Sequence, residues 1–218
     1  IHDNLCLTYR IPIITEVLFS RLDKWAIKRA AQVTVPDRCR IEMHAMKYMD
    51  KIHILPNTLP LACGFLSNFC GLKMDYDIYL NGSILETRGV IQLLEAAKKV
   101  PECKILIAGR IPEKKIVDLV IGNSQVTYIS TLNHRQALYM YSKAKAVFAF
   151  YDPTIPINRY ACPTKFYEAM LMGKPIIINC ETILSNKIIR ADIGYSCRYS
   201  DIDGLANILR TISYNTDD

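Results

Sequence analysis

The chain has 218 residues, half of them hydrophobic, with a mean hydropathy of +0.10 and a net charge of +6 from 27 basic and 21 acidic residues. That composition excludes a disordered chain and supplies one good core or two small ones. The basic excess is spread along the sequence, which excludes the focused patch that nucleic acid binding needs and leaves a phosphorylated substrate, a position near anionic lipid, or a plain solvated exterior.

In chain order, residues 1–3 read as the end of a strand. Over 16–30 the apolar positions Val17, Leu18, Leu22, Trp25, Ala26 and Ala30 recur at helical spacing. A short strand over 32–35 is ended by Pro36, and Asp37 caps a helix predicted to run to about residue 48. A strand over 51–57 follows. Residues 58–74 carry Pro60, Gly64 and Gly71 without a clear period and read as a linker.

Beyond the linker the alternation becomes regular. Strands are predicted over 76–80, 104–108, 126–129, 146–150, 175–178 and 195–198. Helices are predicted over 88–100, 113–121, 134–143, about 163–173, 183–191 and 202–212. Single helices between strands require crossover connections and a parallel sheet. The fold class is therefore α/β, a Rossmann-like parallel-sheet domain over 75–218 preceded by a truncated second α/β segment over 1–57. Its ligand site is expected beyond the carboxyl ends of the strands.

Eight cysteines contain no C-x-x-C pair, and the four histidines have no metal-ligand spacing. Free thiols in a reducing cytoplasm are expected, and neither a structural zinc nor another metal. No signal-peptide pattern and no apolar run of about 18 residues is present, so no membrane span is expected within these residues. The first residue is Ile rather than Met, which reads as a trimmed or partial chain. The pair Asp75 and Asp77 imitates a metal-binding D-x-D but precedes a strand at its amino end, where it reads as a strand-entry turn.

Three stretches carry the chemistry. In the first βα turn, Gly82 leaves room for a ligand against the backbone, and Arg88 at a helix start is either a phosphate ligand or a surface charge. The turn is not G-x-G-x-x-G and lacks the later acidic residue of a dinucleotide site, which argues against a nicotinamide dehydrogenase. The second turn repeats the form with Gly109 and Arg110. In the third, Pro163 suits a helix start and Gly173 its end, with Glu168 between them and an apolar strand following. That helix offers N–H groups and a positive dipole end to an anion. Glu168 is either a ligand-binding carboxylate or a dipole-favoured surface charge. Phe166, Met170 and Leu171 place the segment close to the sheet. Asn133 reads as the N-cap of the helix after it.

The ordered set Ile54-Leu-Pro-Asn57, Asn81-Gly82-Ser83 with Arg88-Gly89-Val90, Ile107-Ala-Gly109, Leu138-Tyr-x-Tyr141 and Pro163-x-Lys165-Phe-Tyr-Glu168 through Gly173-Lys174-Pro175 resembles the retaining glycosyltransferases of the GT-B fold, the family-4-like group 1 enzymes that build glycans and cell-surface polysaccharides from nucleotide-sugar donors. The resemblance covers nearly the whole chain, and its last block is the most specific. It implies that Glu168 accepts bonds from the donor ribose, that Arg88 binds the donor diphosphate, and that Gly82 brings the backbone close to it. Gly109 and Arg110 would fall near the base and ribose. Pro163, Thr164 and Lys165 would face the diphosphate and sugar. Such sites act without a metal or other cofactor, because the protein supplies the charge that offsets the leaving group.

Two positions depart from the family's pattern. Ser83 stands where many members have Arg, and Tyr160 where many have an acid facing the donor sugar. The expected function is transfer of a sugar, hexosyltransferase type, from a nucleotide-sugar donor to a glycan or lipid-linked acceptor with retention, in the cytoplasm or at the inner face of a membrane. The short first segment implies a chain that binds donor but transfers poorly by itself. It also leaves open peripheral membrane association and pairing between copies. A non-catalytic nucleotide-sugar-binding or assembly module is the alternative, and a sugar-nucleotide epimerase of the same fold a further one.

Overall fold

A computed structural model describes residues 13–43, 50–57 and 73–214. The expected strand end at 1–3, the far part of the helix after Asp37 and nearly all of the linker lie outside the described residues. The first segment comprises α1 (Ile13–Arg29), β1 (Val33–Val35), a 3-10 turn (Arg38–Met43) and β2 (Ile52–Ile54), with β1 and β2 paired in parallel. Ile27, Val33, Val35 and Ile52 form its small core.

One expectation for this segment is met and one is corrected. The helix over 16–30 exists, yet Val17, Leu18, Leu22 and Trp25 are exposed, and α1 packs inward through Ile27 instead. The described part after Asp37 is a 3-10 turn rather than an α-helix. The Asp37 carboxylate accepts from the Cys39 amide two residues on, a local bond that favours a tight turn over helix propagation.

The main body is a six-stranded, wholly parallel sheet of order β5-β4-β3-β6-β7-β8. Its strands are β3 (Tyr76–Asn81), β4 (Ile105–Ala108), β5 (Val126–Ile129), β6 (Ala144–Ala149), β7 (Ile176–Asn179) and β8 (Gly194–Cys197). Each strand is separated from the next by one helix: α2 (Val90–Ala97), α3 (Lys114–Ile121), α4 (His134–Ser142), α5 (Thr164–Leu171) and α6 (Ile183–Arg190), while α7 (Ile202–Tyr214) follows β8. The sheet is buried on both faces, which explains the near-continuous apolar runs of β3, β4, β6 and β7. Ile78, Leu80, Ile105, Ile107 and Phe148 meet α2, α3 and α7 on one face. Tyr79, Leu106, Val147 and Ile178 meet α4, α5 and α6 on the other.

The helix predicted over 88–100 is divided. A 3-10 turn (Glu86–Arg88) ends at Gly89, whose φ of +72° starts α2 afresh. A Cβ on Gly89 would lie 2.5 Å from the Phe150 Cβ, so close packing against the end of β6 demands glycine there. Asn133 caps α4 with a full capping box, Asn133 accepting from the Gln136 amide and Gln136 accepting in return. Asp77, far from the carboxyl ends of the strands, accepts from the Lys104 amide at 2.8 Å and pairs with Lys145 at 3.0 Å, which fixes it as a strand-entry anchor.

Two cross-links hold the first segment against the sheet domain. Lys187 of α6 donates to both oxygens of Asp37 at 2.6 and 2.5 Å, and Tyr167 of α5 donates to the Pro36 carbonyl at 3.3 Å. Asn57, just after β2, adds a third by donating to the Cys162 carbonyl at 3.1 Å. No helix among the described residues is long and apolar enough to cross a membrane.

Candidate functional site

The strand order reverses between β3 and β6, where successive connections leave in opposite directions and the carboxyl ends open into a crevice. A cavity of about 360 Å³ lies there. The loop after β3 supplies Asn81, Gly82, Ser83, Thr87 and Arg88, and the loop after β6 supplies Tyr151, Ile157 and Asn158. The approach to α5 supplies Cys162, Pro163 and Lys165, and the first segment supplies Arg40. Gly82, Ser83, Arg88, Pro163 and Lys165, five of the residues singled out from the sequence, thus meet at one opening.

Gly82 adopts a φ of +100°, and the space where a side chain would stand is open, so the backbone itself forms the cavity wall. Arg88 lies over the Tyr151 ring, its guanidinium carbon 4.6 Å from the centroid. Tyr151 is fixed in turn by the fully buried Asn179, which accepts from the Tyr151 amide at 2.8 Å and donates to its carbonyl at 3.1 Å. Burial pushes the Tyr151 phenol up to about 12, opposed by the charge of Arg88, so the ring stays neutral beside the cation.

Lys165, in the first turn of α5, donates to the Asn81 carbonyl at 2.8 Å and so bridges α5 to the end of β3. The residue as a whole is half-buried, but its ammonium is densely surrounded. Desolvation, and then the neighbouring Arg88 charge, bring its pKa down to about 8 against the opposing pull of Glu168. Pro163 occupies the N-cap position of α5 and gives no side-chain bond to the first-turn amides. Arg88 and Lys165, an uncapped helix start and a bare glycine backbone therefore share one cavity with Arg40, an arrangement suited to a multiply charged anion.

Glu168 sits one helical turn beyond Lys165, is buried and does not line the cavity. One carboxylate oxygen accepts from the Tyr141 hydroxyl at 2.6 Å, and the other lies 3.2 Å from His134 Nε2. The Tyr141 hydroxyl also accepts from the Asn81 side-chain Nδ2 at 3.2 Å, so a chain of bonds runs from Glu168 to the cavity edge. Burial first, then the charge of Glu168, hold the Tyr141 phenol well above its ordinary range, which makes it a permanent donor to the carboxylate. Met170 of α5 is exposed, against the expectation that it packs on the sheet. Phe166 and Ala169 carry that contact.

Gly109 and Arg110 do not line the cavity. A Cβ on Gly109 would fall 1.8 Å from the Gly82 carbonyl oxygen, and the Arg110 carbonyl accepts from the Ile84 amide at 3.0 Å. The second loop thus braces the first, because Asn81 and Ala108 are partners in the sheet register and their loops leave side by side. The Arg110 side chain is exposed, as is Thr164, while Tyr160 ends a 3-10 turn (Pro156–Tyr160) and is half-buried.

The sequence profile described as "Glycosyl transferases group 1" matches residues 71–217, covering the whole sheet and every element of the cavity except the first segment. The chain belongs to this family. No curated protein matches it in sequence. Among solved structures, sucrose-phosphate synthase from Thermosynechococcus elongatus superposes with a TM-score of 0.71 at 19% identity, over 98% of this chain and 57% of that one. Anabaena HepE, solved in complex with UDP-glucose, gives 0.67 at 14% identity, over 91% and 58%. A UDP-GlcNAc 2-epimerase from Methanocaldococcus jannaschii gives 0.56 at 11% identity, over 93% and 58%. The chain spans somewhat more than half the length of each. These likenesses are of fold, and the sheet is the Rossmann-like domain of the GT-B architecture.

Several residues of the site are absent from the sequence reading. Asn179 and Tyr151 come together only because β7 lies beside β6, and Arg40 arrives from a separate segment. Tyr141 stands within a stretch the family resemblance marks, but its bond to Glu168 follows from α4 and α5 lying on the same face of the sheet.

Proposed function

We propose that this chain binds a nucleoside-diphosphate sugar in the β3–β6 crevice and supports transfer of the sugar, with retention and without a metal, to a glycan or lipid-linked acceptor. The observation that carries the reading is the convergence of Arg88, Lys165, the uncapped start of α5 and the Gly82 backbone on one cavity in a glycosyl transferases group 1 chain. The diphosphate would lie against these groups, which stabilise negative charge as the nucleoside diphosphate leaves. Donors fixed by the fold need no reorganisation at that moment. Glu168, held by Tyr141 and His134, would retain acceptor capacity for the ribose hydroxyls. A similar fold also serves an epimerase, and the family match favours transfer over that chemistry.

Tyr160 and Ser83, which replace an acid and an arginine of the family's pattern, favour a second reading as a donor-binding module without turnover. Calorimetric titration with nucleoside diphosphates and their sugars, with Glu168→Ala and Lys165→Met as controls, tests binding. The reading requires micromolar-range affinity for one nucleotide series and its loss in both variants. Equal affinity in wild type and variants, or no binding at all, would remove it. Release of free nucleoside diphosphate from the bound donor separates a transferase from a module.

A further inference from the structure

The profile that identifies the family begins at residue 71, and Arg40 lies outside it. Its place in the cavity is nevertheless specified by the tertiary structure. Arg40 belongs to the 3-10 turn after β1, and that turn is tied to the sheet domain at both ends of its neighbourhood. Pro36 accepts from Tyr167, Asp37 from Lys187, and Asn57 donates to the Cys162 carbonyl. Those bonds seat the turn directly over the approach to α5.

Cys162 lines the same cavity as Arg40. It is buried at the cavity wall, bonded to the Tyr167 hydroxyl at 3.4 Å. Burial raises its pKa, and the charges of Asp37, Arg40 and Lys187 all act on it. Asp37 is held below the ordinary carboxylate range because the Cys39 amide and Lys187 outweigh the effect of burial, so it stays ionised as the anchor of the turn.

The cavity therefore has cations on two sides, Arg88 and Lys165 from the sheet domain and Arg40 from the first segment, and no carboxylate lines it among the described residues. An anion with several charged oxygens satisfies that arrangement better than a single phosphate, since guanidinium groups engage phosphate oxygens through a planar fork. We propose that Arg40 is a third cationic contact to the donor diphosphate, contributed by the first segment, and that the Asp37–Lys187 pair positions it. The inference rests on the nucleotide-sugar reading of the cavity. It makes diphosphate recognition depend on the docking of the two segments, which donor binding by the sheet domain alone does not require.

The test titrates the 218-residue chain with UDP, GDP and ADP and with the corresponding monophosphates, in wild type, Arg40→Gln, Arg40→Lys, Asp37→Asn and Lys165→Met. Arg40→Gln is expected to weaken the preferred diphosphate about tenfold, the size of one charge-assisted hydrogen bond, while the monophosphate changes by less than about threefold. Arg40→Lys should recover part of the loss. Asp37→Asn should reproduce a smaller share of it at an unchanged ratio of base preference. Two results overturn the inference while sparing the donor reading: Lys165→Met weakens the diphosphate but Arg40→Gln does not, or Arg40→Gln weakens mono- and diphosphate alike as a structural lesion would. Absence of nucleotide binding, or indifference to Lys165→Met, removes the donor reading and the inference together.

Discussion

Lys165 gives the sharpest quantitative handle on the site. Its ammonium is crowded by protein and by Arg88, and its pKa stands at about 8 rather than the ordinary 10.5. A bound diphosphate would reverse that pressure, because it favours the charged form. Below about pH 7 the free protein already carries the proton and affinity should be flat. At pH 9 only about one molecule in ten remains protonated, so binding must recruit a proton, and affinity falls about tenfold for each further unit, or about 1.4 kcal/mol. Calorimetry between pH 7 and 9.5, in buffers of different ionisation enthalpy, should show uptake rising toward about one proton per ligand. That window lies above the second ionisation of the phosphate, near pH 6, so the ligand itself contributes little. Arg88→Gln should move the break to higher pH by removing the second cause of the depression. The unliganded fold should behave in the opposite sense, gaining stability as pH rises through about 8, since the unfolded lysine holds its proton up to 10.5. A pH-independent affinity over this range, or the same pH profile in Lys165→Met, would refute the placement of Lys165 at the anion.

Three further outcomes follow from the geometry. Tyr141→Phe removes a 2.6 Å bond to the buried Glu168 and the partner of the Asn81 side-chain Nδ2, and should lower stability by about 2 kcal/mol. In titrations it should weaken nucleoside diphosphate while leaving inorganic pyrophosphate unchanged. Asn179→Ala strands the amide and carbonyl of Tyr151 in a fully buried place and should cost about 3 kcal/mol in urea unfolding, with the slope unchanged. Gly109→Ala sets a Cβ on the Gly82 carbonyl at a φ of +141°, and should cost about 3 kcal/mol and weaken donor binding, although Gly109 itself lies outside the cavity. Ligand affinity equal to wild type in that variant would count against the bracing of one loop by the other.

The alternation of apolar strands and amphipathic helices from residue 76 onward was enough to read the parallel sheet and the edge at which a ligand sits, because the inner strands β3, β4, β6 and β7 are buried on both faces and each helix on one. The glycines at 82 and 173 and the cap at Asn133 are local signals, decided by neighbours within a few residues, and each takes the conformation its type allows. Which neighbours share a crevice is not local. Strand order alone sets Tyr151 against Asn179, turns Gly109 into a brace for Gly82 rather than a wall of the cavity, and points Glu168 to Tyr141 while Lys165, on the same helix, reaches Asn81. The apolar spacing of α1 marked a helix but not its inward face, since periodicity records an amphipathic surface without naming what covers it. Arg40 is the extreme case. It belongs to a different segment from Arg88 and Lys165, and the bonds of Pro36, Asp37 and Asn57 to α5, α6 and the Cys162 carbonyl bring its charge to their cavity.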